Sequence, residues 1–311
     1  MNQGIVIKST GSHYLVKQGE KIINCKIRGK FRKKEFKSTN PAAVGDIVDF
    51  KIQKDKSVGV ITGIHERKNY LLRKSTNLSK QFHLIAANID YAVLLITFIK
   101  PVTYSMFIDR WLVACERDKI VPVLLFNKID LYDDKLMKKL YDHIGIYEAV
   151  GYKCLPVSVK ENKGIDAFVN LIKDKIIVVS GNSGTGKSSL INLLEPGLKL
   201  KTNEISESYE QGKHTTTFAE MFPVAGGFVI DTPGIKGFGL DEATKEKLGD
   251  YFPEIKKYSD KCKFNNCSHT HEPECAVKKA VDKGEIFSGR YNNYINILAD
   301  SEDKYRTDKY I

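Results

Sequence analysis

Residues 176–194 read IIVVSGNSGTGKSSLINLL. The apolar run Ile176 to Val179 has the pattern of a buried strand and the run from Ser188 to Leu194 that of a helix start, so the glycine-rich segment between them lies at a strand-to-helix turn. In that setting the spacing G-x-x-x-x-G-K-S has a physical purpose. Its glycines let backbone N–H groups turn inward around phosphate oxygens, Lys187 places a point charge on the β and γ phosphates, and Ser188 offers a hydroxyl to magnesium. The phosphates would then rest on a helix N-terminus, where unpaired N–H groups favour an anion.

Asn127-Lys-Ile-Asp130 comes earlier in the chain and terminates the strand-like run Ile120 to Phe126. Strand ends are where open α/β sheets bind ligands. The Asp130 carboxylate can accept from the N1–H and the 2-amino group of guanine, whereas adenine presents neither donor in that arrangement; the motif therefore selects GTP over ATP. Asp231-Thr-Pro-Gly234 follows the strand-like Gly227 to Ile230. Asp231 suits a carboxylate holding magnesium through water, and Gly234 a glycine free to swing toward a γ phosphate. Gly212-Lys-His-Thr-Thr-Thr217 suits a switch whose Thr216 hydroxyl completes the magnesium shell, although an ordinary polar loop has the same composition. Ser158-Val-Lys160, after Cys154 to Val157, fits a loop backing the guanine base with backbone groups.

The chain order is thus guanine reader, base-backing loop, phosphate loop, first switch, second switch, so the two halves of a guanine-nucleotide site are inverted. Joining old termini and cutting elsewhere preserves every spatial contact when the ends lie close, which predicts a circularly permuted P-loop GTPase. The second switch then ends near Gly239 and feeds directly into the C-terminal segment instead of into another strand of the sheet. In Ras-like enzymes a glutamine after the switch glycine orients the attacking water. Here Gly234 is followed by Ile235, so a slow GTPase is expected, with His214 the local candidate for the missing function. A solvent-facing loop histidine is the alternative.

The chain has 311 residues, 42% of them hydrophobic, and a formal net charge of +11. That is enough for two or three domains. No apolar stretch reaches the ~20 residues of a membrane span, and Met1-Asn-Gln-Gly-Ile5 lacks a charged-then-apolar signal layout; a cytoplasmic protein without membrane contact is expected. Residues 1–74 hold 17 Lys and Arg against 6 Asp and Glu, a surplus equal to the whole net charge, and the rest of the chain carries 32 of each sign. Five short strand-like pieces fall in that basic region: Gly4 to Ile7, Tyr14 to Val16, Ile22 to Ile27, Asp46 to Phe50 and Gly59 to Thr62. They suit a small barrel of OB type, whose open face commonly binds single-stranded or looped RNA. Lys26, Arg28, Lys30, Arg32, Lys33, Lys34 and Lys37, with Phe31 and Phe36 interleaved, fit a loop that grips phosphates, or else a solvated basic loop with two core aromatics.

Cys25, Cys115 and Cys154 are scattered through strand and helix interiors and read as small buried residues. Cys262, Cys267, His269 and Cys275 are spaced C-x4-C-x-H-x5-C, three thiolates and an imidazole, the donor set of a closed structural zinc site. His271 is the rival imidazole, and a redox switch is the rival chemistry. The flanking runs Glu242 to Tyr251 and Ala276 to Lys283 have helical periodicity but are short, so the metal is expected to complete their core.

Taken together, the basic barrel with Val44-Gly-Asp-Ile-Val48, the Glu66-Arg-Lys-Asn69 junction, the inverted motif order, GNSGTGKSS, GKHTTT, DTPG and the cysteine-histidine finger resemble the ribosome small-subunit-dependent GTPase family, RsgA. The likeness spans nearly the whole chain. It implies an α/β architecture in three parts: an OB-type barrel over residues 1–67, a circularly permuted GTPase over 68–240 and a helical zinc-binding domain over 241–311. It also implies late maturation of the small ribosomal subunit, hydrolysis of GTP to GDP stimulated by that subunit, and rRNA contact through barrel and zinc domain. By position, Asn127, Lys128, Asp130, Ser158, Gly181, Asn182, Ser183, Gly184, Thr185, Gly186, Lys187, Ser188, Ser189, Thr216, Asp231 and Gly234 would form the nucleotide site. His214, Thr216 and Lys187 would be its catalytic groups, with Ser188 and Thr216 on magnesium; Cys262, Cys267, His269 and Cys275 would hold one zinc. A monomer is expected, with other assembly factors as further candidate partners. Lys74 after Arg73 departs from the family, which has proline there. A permuted GTPase serving the large subunit and a nucleotide-gated RNA-binding scaffold are the rival readings.

Overall fold

The computed structural model describes residues 2–10, 13–27, 41–53, 56–74, 82–198, 219–231 and 242–299. Five strands open the chain: β1 (Asn2–Ser9), β2 (Tyr14–Gln18), β3 (Lys21–Ile27), β4 (Ile47–Gln53) and β5 (Lys56–Ile64). They lie side by side in the order β1-β2-β3-β5-β4, and β4 pairs back onto β1, so the barrel closes and has no free edge. Alternation sends Val6, Tyr14, Val16, Cys25, Val48, Phe50 and Ile61 inward as one buried cluster. Burying the Tyr14 or Phe50 ring fully contributes roughly 1.5–3 kcal/mol each. The basic segment from Arg28 to Lys37, with Phe31 and Phe36, lies outside the described residues.

The barrel is fastened to the nucleotide-binding fold by the Glu66 to Asn69 junction and a hairpin of β6 (Tyr70–Lys74) and β7 (Phe82–Ala87). Arg67 donates to both carboxylate oxygens of fully buried Asp46, at 2.6 and 2.8 Å. Asn69 exchanges two hydrogen bonds with the backbone of Ile89, each 2.8 Å. Gly45 adopts a φ of +91°, and a Cβ there would lie 2.0 Å from the Ala87 carbonyl oxygen, so only glycine permits the barrel to approach the hairpin this closely. Val44 of the barrel belongs to the same apolar cluster as Leu71 and Ala86 beyond the junction.

The second sheet runs β10 (Lys153–Pro156), β9 (Val121–Phe126), β8 (Tyr91–Ile96), β11 (Ile176–Ser180), β13 (Gly227–Asp231), β12 (Glu220–Val224). All neighbours in it are parallel except β12 on β13. Both faces are covered, which is why the strands are near-continuous apolar runs. On β8, Ala92, Leu94 and Ile96 face one cluster, and Val93 and Leu95 face the other. A single antiparallel pair, Lys8 with Glu220, carries the barrel onto β12, and the two side chains close an ion pair of 2.8 Å.

Helices α1 (Ser105–Asp118) and α2 (Asp134–Val150) cover the first face, and α3 (Ile165–Ile172) and α4 (Lys187–Leu194) the second. Helix α2 starts where the Asp133 carboxylate accepts from the Leu136 N–H at 2.8 Å, and stops at Gly151 in the left-handed conformation. The C-terminal helices are α5 (Glu242–Glu246), α6 (Pro253–Ser259), α7 (Ala276–Asp282) and α8 (Ser288–Ala299), with a 3-10 turn over Leu248–Tyr251. Their buried residues, among them Phe252, Ile255, Val277, Tyr294 and Ile297, join the cluster that holds Trp111, Leu112 and Tyr147 of α1 and α2. The short C-terminal helices therefore complete their core on the GTPase helices as well as around the cysteines, a source of stability the periodicity alone does not reveal. Among the described residues, no helix is long and apolar enough to cross a membrane.

Candidate nucleotide site and metal centre

Residues 181–186 connect β11 to α4. Gly186 caps the helix at a φ of +103°, and a Cβ there would come 2.5 Å from the Asn127 side-chain nitrogen, so the Asn127 to Asp130 loop and the glycine-rich loop touch at a position open only to glycine. Lys187 is turned back onto its own loop, its ammonium donating to the carbonyls of Gly181 and Asn182 at 2.8 Å each. Burial lowers its pKa. A phosphate oxygen would replace those two acceptors and restore a preference for the charged amine. Thr185 of the loop and Ser188 of α4 are buried, and Ser183 of the loop and Ser189 of α4 are exposed.

The strand ends bring the sequence-distant motif into place. Asn127, which is buried, donates to the Thr185 carbonyl at 2.8 Å and accepts from the Val159 N–H at 3.1 Å, so one side chain spans three loops. Lys128, left-handed at a φ of 68°, donates to the carbonyl of Gly184 at 2.7 Å and to that of Lys100. Desolvation lowers its pKa, with Asp130 opposing. Asp130 accepts from the Ser158 hydroxyl at 2.6 Å. Ser158, expected to offer backbone groups to the base, pairs its own N–H and carbonyl with Lys163, and its hydroxyl also accepts from the Glu161 N–H at 3.1 Å. The hydroxyl bond fixes the direction of the Asp130 carboxylate. Asp231 is the last residue of β13, opposite Glu220 of β12. His214, Thr216 and Gly234 lie outside the described residues.

Cys262, Cys267, His269 and Cys275 converge with their ligand atoms all within 4.8 Å of one another. Nδ1 of His269 lies 3.6 Å from the Cys262 sulfur and 3.5 Å from that of Cys275, and those two sulfurs are 3.9 Å apart. Tetrahedral zinc with bonds of about 2.3 Å to sulfur and 2.0–2.1 Å to nitrogen requires edges of about 3.8 and 3.6 Å. The donor set and its size therefore fit zinc. Burial first, and the neighbouring thiols of Cys275 and Cys262 after it, push the Cys267 thiol up to about 12, so a proton must leave when a cation enters. His271 points elsewhere, its Nδ1 2.8 Å from the Thr270 hydroxyl. The turn carrying His269 is held by Tyr291 and Tyr294, which donate to the carbonyls of His269 and Ser268 at 2.7 and 2.8 Å. Glu272 fixes it from the other side, accepting from the Ser268 N–H and hydroxyl and from the Thr270 N–H. Burial works to raise the Glu272 pKa, but these hydrogen bonds outweigh it and bring it down to about 2.

Cys25, Cys115 and Cys154 are buried, and desolvation raises all three thiols, to about 11 at Cys25 and about 12 at Cys154. They are poor nucleophiles.

Two residues without a motif of their own bear on these sites. Tyr132 joins the ends of β8 and β9, and its only signal is its place two residues after Asp130. Arg290 of α8 is buried against Asp109 of α1 and Glu254 of α6, a cation within a helix whose partners lie far off in sequence.

Known proteins resemble this chain over nearly its whole length. The family model described as "RsgA GTPase" matches residues 64–241, and that described as "RsgA N-terminal domain" matches residues 3–61. A relative from Flavobacterium psychrophilum, named small ribosomal subunit biogenesis GTPase RsgA, is 53% identical over 99% of this chain and 95% of its own. A second of that name, from Christiangramia forsetii, is 50% identical over 99% of each chain. The solved structure of YjeQ from Thermotoga maritima superposes with a TM-score of 0.79 at 35% identity, covering 96% of this chain and 97% of that one. The structure of YloQ, described as a circularly permuted GTPase, superposes with a TM-score of 0.77 at 31% identity over 100% of this chain and 97% of its own.

Proposed function

The chain belongs to the RsgA family of GTPases, and on that premise we propose that it acts in late maturation of the small ribosomal subunit, its nucleotide state setting how long it stays on that particle's RNA. The chemistry is hydrolysis of GTP to GDP and phosphate. The observation that carries the reading is the joint between the basic barrel and the nucleotide fold, where Arg67, Asn69 and Gly45 hold the barrel against the hairpin leading into β8 and Lys8 pairs with Glu220 on the strand beside Asp231. A barrel so fastened can pass the strain of RNA contact into the switch strand. The proposed divisions are 1–67 for RNA contact, 68–240 for GTP and 241–311 for zinc and further rRNA contact. The chain works as a monomer in the cytoplasm, and other assembly factors are further partners.

In this account Asn127, Lys128 and Asp130 bind guanine, with Ser158 holding the Asp130 carboxylate. The loop Gly181 to Ser189 wraps the phosphates; Ser188 and Thr216 would hold magnesium directly and Asp231 through water, and the ion would neutralise phosphate charge. One zinc per chain sits on Cys262, Cys267, His269 and Cys275. Co-sedimentation with purified small subunits tests the proposal. Retention should be strong with a non-hydrolysable GTP analogue, weak with GDP, and should fall steeply with salt because phosphate contacts release counterions. Equal retention in both nucleotide states would sink it.

Ile235 after Gly234 cannot orient water, and His214 beside the switch threonines is proposed to do so when the chain is bound to the ribosomal subunit. His214→Ala should lose most of the subunit-stimulated rate, a drop of about 10²-fold or more, and keep its GTP affinity. Single-turnover hydrolysis with and without small subunits reads the difference, and a variant stimulated as strongly as the parent would assign the role to an rRNA group or a backbone contact.

A further inference from the structure

The ladder between β8 and β9 ends with Ile96 opposite Phe126, beyond which one more bond runs from the Asn127 N–H to the Ile96 carbonyl at 2.8 Å. In a parallel ladder the next bond would run from the Phe98 N–H to the Asn127 carbonyl. It does not form directly. The Tyr132 hydroxyl stands between the two groups, accepting from the Phe98 N–H at 2.8 Å and donating to the Asn127 carbonyl at 3.0 Å. Its ring is stacked on Phe98 at 5.9 Å and 11°, and Phe98 in turn meets Phe126 and His143 edge-on, so the hydroxyl is held in register by an aromatic cluster.

Both strand ends that this hydroxyl joins lead to groups on the guanine side of the site. Asn127 reaches Thr185 and Val159, and two residues past Phe98 the Lys100 carbonyl accepts from Lys128. Without the hydroxyl, two buried polar groups would lose their partner, and the two ends would be free to close together or drift apart. Burial pushes the phenol pKa up, so the proton needed for the Asn127 carbonyl stays in place.

We propose that Tyr132 is a positioning residue for guanine recognition: its hydroxyl splints the ends of β8 and β9 at the spacing that sets Asn127, Lys128 and Asp130 around the base. This rests on the assignment of that loop to guanine. Tyr132→Phe keeps the ring and its stacking and removes the splint alone.

The expected result is a loss of GDP affinity of about tenfold, because the nucleotide must then order a loop that the hydroxyl no longer holds in place, together with a modestly lower melting temperature from the two polar groups left unpaired. Discrimination between GDP and inosine diphosphate, which lacks the 2-amino group, should narrow severalfold, because a loosened loop aims Asp130 less well. Titration of the two diphosphates against the full chain, with a melting curve beside it, reads both effects. A variant with unchanged GDP affinity, or one that melts earlier but keeps the parent's discrimination, would overturn the proposal. Asp130→Asn, measured in parallel with xanthosine diphosphate, separates the premise from the inference. An amide there offers a donor to the xanthine oxygen, so preference should pass to xanthosine diphosphate. Failure of that switch would refute the guanine assignment and Tyr132 with it; success of the switch with Tyr132→Phe unaffected would refute Tyr132 alone.

Discussion

Cys275→Ser is expected to strip zinc from the protein and loosen its C-terminal helices. The cysteine is buried, opens α7 as its N-terminal cap residue, and faces Cys262 and His269 at 3.9 and 3.5 Å. A serine hydroxyl is a poor substitute for a thiolate in a closed zinc site, and structural zinc in small domains contributes on the order of 10–16 kcal/mol of apparent binding energy. Much of that energy would be folding energy here, because α5, α6 and α7 are single turns or two and the turn that carries His269 is held by Tyr291 and Tyr294 of α8. Zinc content should fall from one per chain to a small fraction, and limited proteolysis should cut first after residue 241. A Cys275→Ser protein with stoichiometric zinc and the parent's protease resistance would contradict the assignment.

Arg290→Met should destabilise the junction between α8 and the GTPase helices by about 3–5 kcal/mol, the range for removing one partner of a buried ion pair. Arg290 donates to Asp109 at 2.5 Å and to both oxygens of Glu254, and its guanidinium lies 5.1–5.6 Å from the ring centres of Tyr147, Tyr152 and Phe252. Asn293 and Tyr147 also donate to Asp109, at 2.6 and 3.1 Å. Asp109 is fully buried, and without the guanidinium its charge has no counterion in contact among the described residues. Burial raises the Asp109 pKa, with Arg290 the largest opposing influence. Removing Arg290 raises it further, so the folded variant binds a proton more readily than the unfolded chain. Its stability deficit should therefore shrink as pH falls toward the ordinary carboxylate range and grow as pH rises. Melting curves at mildly acidic and mildly alkaline pH test the sign, and Asp109→Asn in the Arg290→Met background should recover part of the loss. A deficit independent of pH would mean that lost packing, not stranded charge, is responsible.

The legibility of each feature in the sequence depends on how local its signal is. The strands β9, β11 and β13 stand out because each is an apolar run ended by a motif, and the barrel strands because short alternating runs are separated by turn residues. Strand β8 is as apolar as its neighbours but ends in no motif, so nothing in the sequence marks it as the strand beside β11. Spacing alone identifies the nucleotide loops, yet the contact that joins them, Asn127 to Thr185, spans 58 residues of chain. Arg290 and Asp109 are 181 residues apart, and each alone reads as an ordinary charged helix position. Tyr132 escapes a sequence reading for a related reason: a tyrosine after a polar loop is usually packing, and its hydroxyl gains meaning only when the ends of β8 and β9 are seen to splay.

The central claim is that GTP turnover by this chain belongs to the small ribosomal subunit. Initial rates of GTP hydrolysis should be compared for the protein alone, with purified small subunits and with purified large subunits, at one fixed salt concentration. The account predicts slow turnover alone, strong stimulation by small subunits and little by large ones; equal stimulation by both subunits, or full activity with neither, would contradict it.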